Sequence, residues 1–300
     1  MSGQSERSVQ PSEAPQNNTM AEQGHFFARF WGVRGSIPTP DAEFIGFGGN
    51  TACVELRVAD QRLIFDGGTG LRALGQTLIA QAPIEAHLFF TNAHWDRIQG
   101  FPFFKPAFVA TNSFHIYGAM ALNGASIKQL LMSQMIRPNF PVSLKAMQAN
   151  LQFYNVVPGE IIQLTPELEI ETCTLNPSNR AIGYRVNWHG HSIVYATDAA
   201  DATEHVDATL MYLARDADLL IYDVAQLETL PYDTDSLDDC QMKIWEAGLQ
   251  MAKQANVKQV ALFHHEPGCS DRCLAAYEKQ LKTQFAQCQF AREGMTIAVA

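Results

Sequence analysis

No stretch of the chain reaches the roughly 18 consecutive apolar residues that a membrane-spanning helix requires, so no helical membrane protein is expected. Positive charge is also short. The chain has 21 Lys and Arg against 31 Asp and Glu, a formal net charge of -10, and charged residues make up 17% of the total. A field of that sign repels phosphate backbones and acidic lipid surfaces. It argues against nucleic acid as a partner, and an anionic small molecule needs a local cation, metal or arginine to receive it. Cysteine is sparse. Cys53, Cys173, Cys240, Cys269, Cys273 and Cys288 are scattered over 300 residues, without the density of a disulfide scaffold, and read as reduced thiols of a cytoplasmic protein. Cys269-x-x-x-Cys273 follows His264 and His265, but no second Cys or His pair stands at finger or ribbon spacing, which argues against a zinc site there.

What is present is a globular composition, with 47% hydrophobic residues over a length that supports one large layered domain or two small ones. Residues 1–24 are rich in Ser, Gln and Pro, bury too little apolar surface to offset their ordering entropy, and are expected to form a flexible tail. They lack the apolar segment of a secretory signal and the Arg-rich, acid-poor pattern of a transit peptide. From Phe26 the segments FFARFWGV, TACVELRV, RLIFDGG, AHLFFT and SFHIYG alternate or run apolar between turn signals, as strands do. Helical spacing first appears at Ser126–Met135, where Ile127, Leu130, Leu131 and Met135 share a face. Strand patterns return at LQFYNVV, LEIETCTL, AIGYRVNW and HSIVYATD. DLLIYDV and KQVALFHH read as buried strands, each after a helical stretch, and Leu237–Ala255 and Ser270–Gln284 have helical length and amphipathicity. No linker or repeat divides residues 25–300. The pattern is a single α/β (α+β) domain built in layers.

The segment Thr91-Asn92-Ala93-His94-Trp95-Asp96-Arg97 follows an apolar strand and puts several polar side chains into the loop where sheets carry ligand-handling groups. It resembles the His-x-His-x-Asp-His motif of the metallo-β-lactamase superfamily. Gly32-Val33-Arg34-Gly35-Ser36, Gly48-Gly49-Asn50-Thr51, Asp66-Gly67-Gly68-Thr69-Gly70, Tyr195-Ala196-Thr197-Asp198 and Leu262-Phe263-His264-His265-Glu266-Pro267 follow in the same order as in its phosphodiesterase-like branch, which includes ribonuclease Z relatives. The resemblance implies a four-layer αββα sandwich and two divalent metals that activate water against a phosphoester or acyl centre.

Carried over position by position, the ligand set is broken. The first metal would use Asn92, His94 and the Leu175–Asn179 segment, where an expected imidazole is replaced by Pro177; neighbouring Asn176 and Asn179 offer amides only. The second would use Asp96, Asp198 as bridge, His264 and position 97, now an arginine that has no lone pair to give. A later Gly-His-Ser segment has no clear counterpart around Asp233–Asp239. The resemblance therefore leaves His94, Asp96, Asp198 and His264 as candidate metal ligands and Asp96, Arg97 and His265 as candidate catalytic groups, with no cofactor or one divalent metal (Mn, Fe or Zn). His264 and His265 are adjacent, so on an extended strand end only one can face the site, and His264 is the one aligned with the family ligand.

Read without the motif, His94 is a polar loop histidine and Asp96 and Asp198 are turn acids at strand ends. Asp66 is expected to orient its loop by hydrogen bonds. The glycine-rich pieces are expected to be tight turns that let loops approach the site, and Trp95, Phe101, Phe103 and Phe104 are either an interaction surface or core and pocket wall. The expected function is that of a phosphodiesterase-like homologue with a degenerate metal site, a pseudoenzyme that binds a small phosphorylated or nucleotide ligand or a partner. The alternative is a hydrolase retaining one metal, with Arg97 clamping a substrate phosphate.

Overall fold

The computed structural model describes residues 26–178, 180–199, 208–224 and 237–300. The expected N-terminal tail, His25, Asn179, His205 and most of Asp233–Asp239 lie outside the described residues. Among the described residues, fourteen strands form two seven-stranded sheets. The first contains β1 (Phe26–Gly32), β2 (Cys53–Val58), β3 (Gln61–Phe65), β4 (Glu85–Phe90), β5 (Ser113–Ala119), β6 (Asn150–Val156) and β14 (Thr296–Ala298), in the order β14-β1-β2-β3-β4-β5-β6. The second contains β7 (Ile161–Thr165), β8 (Leu168–Asn176), β9 (Ala181–Trp188), β10 (His191–Ala199), β11 (Leu219–Val224), β12 (Gln259–Leu262) and β13 (Cys288–Phe290), in the order β13-β12-β11-β10-β9-β8-β7. In each sheet one part is antiparallel and the other parallel: β3 to β6 run parallel in the first, β10 to β13 in the second.

The sequence patterns explain the layers. In β1 the residues Phe26, Ala28, Phe30 and Gly32 are buried and those between them more open, the period of two of a half-covered strand. Leu219–Tyr222 of β11 are buried without alternation, as suits a central parallel strand covered on both faces. Phe30, Phe65 and Phe89 of the first sheet meet Tyr184 and Tyr195 of the second, and Phe263 just after β12, in a shared core, where the Phe65 ring lies 5.2 Å from Phe89 and 5.3 Å from Tyr195. Outside the first sheet, α1 (Thr69–Leu78) and α3 (Ile127–Ser133) pack Leu71, Leu74, Ile127 and Leu131 against Ile64, Leu88 and Ile116. Outside the second, α4 (Ala208–Ala214), α5 (Leu237–Gln254) and α6 (Asp271–Gln284) pack Leu213, Leu249, Leu274 and Leu281 against Val194, Leu220 and Val260. The order of layers is helix, sheet, sheet, helix. Each fully buried Leu or Phe contributes roughly 1.5–3 kcal/mol, and these three clusters supply most of the apolar burial.

The helical periods at 126–135, 237–255 and 270–284 correspond to α3, α5 and α6. Ser126 caps α3 in a reciprocal box with Gln129, and Ser270 caps α6. Helix α1 was not legible. Its sequence TGLRALGQTL opens on Thr69-Gly70 and holds Gly75, both poor helix signals. Tertiary packing decides the matter: a Cβ at Gly75 would come within 2.9 Å of the Phe104 ring, so the helix needs a glycine to lie this close to its neighbour. A short helix, α2 (Trp95–Ile98), then carries the site motif directly after β4. Among the described residues no helix is long and apolar enough to cross a membrane.

Candidate functional site

The site forms where the parallel strands of both sheets end. Asp66 follows β3, Asn92 to Arg97 follow β4, Asp198 sits near the end of β10, Asp223 in β11, and His264 just after β12. Three of these residues have left-handed backbone: Asp66 at φ 58°, Asp198 at 56° and His264 at 61°. A non-glycine residue held there costs on the order of 1 kcal/mol or more, and packed surroundings must compensate. In β10 the pairing with β11 shifts between Ala196 and Ala199, a bulge that re-aims Asp198. The glycine turns let the segments close up. A Cβ at Gly68 would meet the Asp96 carbonyl oxygen at 2.4 Å, and one at Gly100 would meet the Gly68 carbonyl oxygen at 1.8 Å.

The centre of the cluster is the guanidinium of Arg97, fully enclosed. Its Nη1 donates to Asp66 Oδ2 at 3.0 Å. Its Nη2 lies 3.1 Å from Asp198 Oδ2 and 3.5 Å from Asp223 Oδ2, and its Nε lies 3.8 Å from Asp96 Oδ2. The last three contacts are ion pairs rather than aligned hydrogen bonds, since Nε and Nη2 find no hydrogen-bond acceptor among the described residues. His264 is the second cation. Its Nε2 bonds Asp96 Oδ2 at 2.5 Å and its Nδ1 lies 3.0 Å from Asp223 Oδ2, so each ring nitrogen faces a carboxylate.

The electrostatics follow from these contacts. Burial and the nearby Arg97 push the His264 imidazole down, but Asp223 and Asp96 outweigh them and raise it to about 10, which keeps the ring protonated at neutral pH. Burial also lowers Arg97, yet Asp198 and Asp66 hold it well above its ordinary value. Burial raises Asp96 and Asp198, but the bond and charge of His264 for Asp96, and Arg97 with His264 for Asp198, hold both below the usual carboxylate range. For Asp66 and Asp223 desolvation wins, and both are raised.

Around this core, Asp66 accepts from the Thr91 amide and hydroxyl at 2.9 Å and from the Tyr195 hydroxyl at 2.9 Å. It braces the loop, as its motif position leads one to expect. Asn92 turns its Nδ2 toward Asp198 and uses its Oδ1 to accept the His94 amide, so its oxygen faces away from the cluster. His94 stands at the rim, about half exposed, with Nδ1 3.9 Å from Asp198. It borders a cleft of about 340 Å³ lined also by Asn92, Met120, Leu122, Leu130 and the exposed Arg180.

The structure thus gathers His94, Asp96, Arg97, Asp198 and His264, and places Pro177 elsewhere, on the wall of a neighbouring cavity. Asn176 Oδ1 accepts from the Ser178 amide and hydroxyl and serves a turn. Two expectations require correction. His265 turns to the opposite side of its strand end, bonds the Ala291 carbonyl at 2.7 Å and packs between Phe47 and Phe290. Burial there drives its ring down to about 3, so it stays neutral and out of reach of a ligand. Arg97 has no exposed atom with which to clamp a substrate phosphate or act on one. Asp223 was missed by sequence reasoning. Its available signal was an acid at the end of the buried strand DLLIYDV, the same position Asp198 holds in YATD. Of the four motif aromatics, Phe101 and Phe104 are buried core, while Trp95 and Phe103 are exposed.

Two paired sheets flanked by helices, with a histidine and carboxylate cluster at the strand ends, define the class as metallo-β-lactamase-fold and hydrolase-like. The chain belongs to the family described as the β-lactamase superfamily domain, whose profile matches residues 61–265. A search of curated proteins matched none of them. Among solved structures, the metallo-β-lactamase fold protein YhfI from Bacillus subtilis is similar at 18% identity and TM-score 0.62, over 92% of this chain and 100% of that one. Human tRNase Z, short form, is similar at 16% identity and TM-score 0.59, over 91% and 99%. A diphosphatase of the PhnP family is similar at 15% identity and TM-score 0.62, over 91% and 97%. At these identities the likeness speaks for the fold.

The residues present do not fit the pair of divalent metals that the fold family implies. Arg97 fills the space among the carboxylates, both nitrogens of His264 are spent on Asp96 and Asp223, and Asn92 offers its amide nitrogen rather than its oxygen.

Proposed function

We propose that this chain is a metallo-β-lactamase-fold protein that has exchanged metal-assisted hydrolysis for ligand binding. One observation carries the reading: a fully enclosed arginine sits within 3.8 Å of four aspartates in the position where the family resemblance expects a metal ligand. A guanidinium neutralises the acids but supplies no activated water. The proposed ligand is a small phosphorylated or nucleotide molecule in the cleft beside His94. There Arg180 offers a cation to an anionic group, and Met120, Leu122 and Leu130 offer an apolar wall to a base or similar body.

A specific observation supports a second reading. Asp198, Asp223 and His264 present ligand atoms within 4.8 Å of one another, a set able to hold one divalent ion if the His264 proton and the Arg97 contacts were displaced. The two readings separate on turnover of a chromogenic phosphodiester with manganese or zinc supplied, run beside calorimetric titration of nucleoside monophosphates. Binding without turnover is the expected outcome. Robust metal-dependent turnover that vanishes in Asp198→Ala would replace the binding role with the one-metal hydrolase.

A further inference from the structure

The pair Cys269 and Cys273 takes no part in the cluster described above. The Cys269 thiol donates to Cys273 Sγ across 2.8 Å, and both side chains are partly exposed. Two sulfurs in ordinary contact stand farther apart than this, and a disulfide needs about 2.05 Å. Closing the bond therefore requires a sulfur displacement of well under about 1 Å, within the reach of side-chain rotation.

The local backbone holds the two thiols face to face. Cys269 lies just before Ser270, the N-cap of α6, and its amide bonds the Glu266 carbonyl at 3.0 Å while its carbonyl accepts from Arg34 Nη1 at 2.9 Å. Cys273 is the third residue of the helix, and its amide donates to Ser270 Oγ. The spacing of four residues joins the last residue before the cap to the first helical turn. Cys53, Cys173 and Cys288 are buried and, among the described residues, no other cysteine pair approaches in this way.

We propose that Cys269 and Cys273 form a reversible dithiol–disulfide couple that exchanges with low-molecular-weight disulfides. In the first step one thiolate attacks the small disulfide, forming a mixed disulfide and releasing one small thiolate. The second cysteine thiolate then attacks the protein sulfur of that mixed disulfide, forming the Cys269–Cys273 bond and releasing the second small thiolate. The protein loses two electrons and two protons, and one small disulfide becomes two thiols. The ring so closed spans only a few residues, and loop-closure entropy stabilises such a short crosslink little. The bond is accordingly reducible rather than structural. The couple is also tied by hydrogen bonds to segments next to the cluster. Arg34, which holds the Cys269 carbonyl, binds Glu266 and Gly48 as well, Asp271 receives the Gly46 and Phe47 amides, and Ser36 donates its amide to Asp96.

The test is to equilibrate the full chain in oxidised and reduced glutathione mixtures, block remaining thiols by alkylation and map the peptides by mass. A Cys269–Cys273 crosslink that forms with a midpoint inside the glutathione range and disappears on reduction is expected. Cys273→Ser should then accumulate glutathione at position 269, and Cys269→Ser at position 273, because each lacks its resolving thiol. The proposal is overturned if both thiols of the wild type remain alkylatable in fully oxidised glutathione. It is overturned equally if the wild type stops at a mixed disulfide, or if a crosslink forms that excess reduced glutathione does not open.

Discussion

Replacing Arg97 by methionine keeps much of the side-chain length and removes only the charge and its donors. In the folded protein this leaves Asp66, Asp96, Asp198 and Asp223 with the partly exposed His264 as the main remaining cation among the described residues. Removing one partner of a buried ion pair costs about 3–5 kcal/mol, because the remaining charge keeps its desolvation penalty. An unpaired buried carboxylate escapes by taking up a proton, because burial raises its pKa above the unfolded value. The sign then fixes the pH dependence. A carboxylate whose folded pKa lies above its unfolded value destabilises the fold as pH rises from the unfolded value towards the folded one. The deficit of Arg97→Met relative to wild type should therefore shrink as pH falls, by up to about 1.4 kcal/mol per pH unit for each proton taken up. In thermal unfolding with chelator present, the variant should melt about 10 °C below wild type at pH 7 and close to it at pH 5. Added manganese or zinc should raise the variant's melting temperature by mass action on the vacated carboxylates. A variant that matches wild type at pH 7, or that shows the same deficit at pH 5 and pH 7, refutes the surrogate role of the guanidinium.

The two adjacent histidines titrate in opposite senses. His264, raised to about 10, contributes stability that is fully present below about 6.5 and is lost as pH rises through 10; urea unfolding of His264→Gln should show a flatter decline than wild type between pH 7 and 10. His265 is held neutral down to about 3, so the unfolded chain binds its proton first and stability falls as pH drops from about 6.5. His265→Phe should flatten that acid limb by about one proton in the slope. Tyr195→Phe removes the hydroxyl that donates to the buried Asp66 and should cost about 1–3 kcal/mol in urea unfolding; no loss would mean that the hydroxyl does not support that carboxylate.

The fold was readable because its signals are local. The alternation in FFARFWG, the uniform apolar run in LLIYDV and the serine caps at Ser126 and Ser270 each specify an element without knowledge of its neighbours. Helix α1 was not readable, since Gly70 and Gly75 answer to close packing against Trp31 and Phe104 that lie far off in sequence or in another element. At the site, residue types in motif order pointed to Asp96, Arg97, Asp198 and His264, each of which lies within ion-pair distance of another in the fold. Asp223 did not, whereas the side of His265 followed from its adjacency to His264. Asp223 stands outside any motif, and its importance comes from β11 lying beside β10 and β12. His265 differs from His264 only in which way the chain turns after β12, where the left-handed backbone of His264 and the Ala291 carbonyl decide the matter.

The central claim, that side-chain cations hold the carboxylate cluster in place of metal, is tested most directly by titrating manganese or zinc calorimetrically into chelator-treated wild type and Arg97→Met at neutral pH. Arg97 and protonated His264 already occupy the acids of the wild type, so the account predicts no saturable binding there and one new site per chain in the variant. A tight stoichiometric site in wild type that is weakened or lost in Arg97→Met would contradict it.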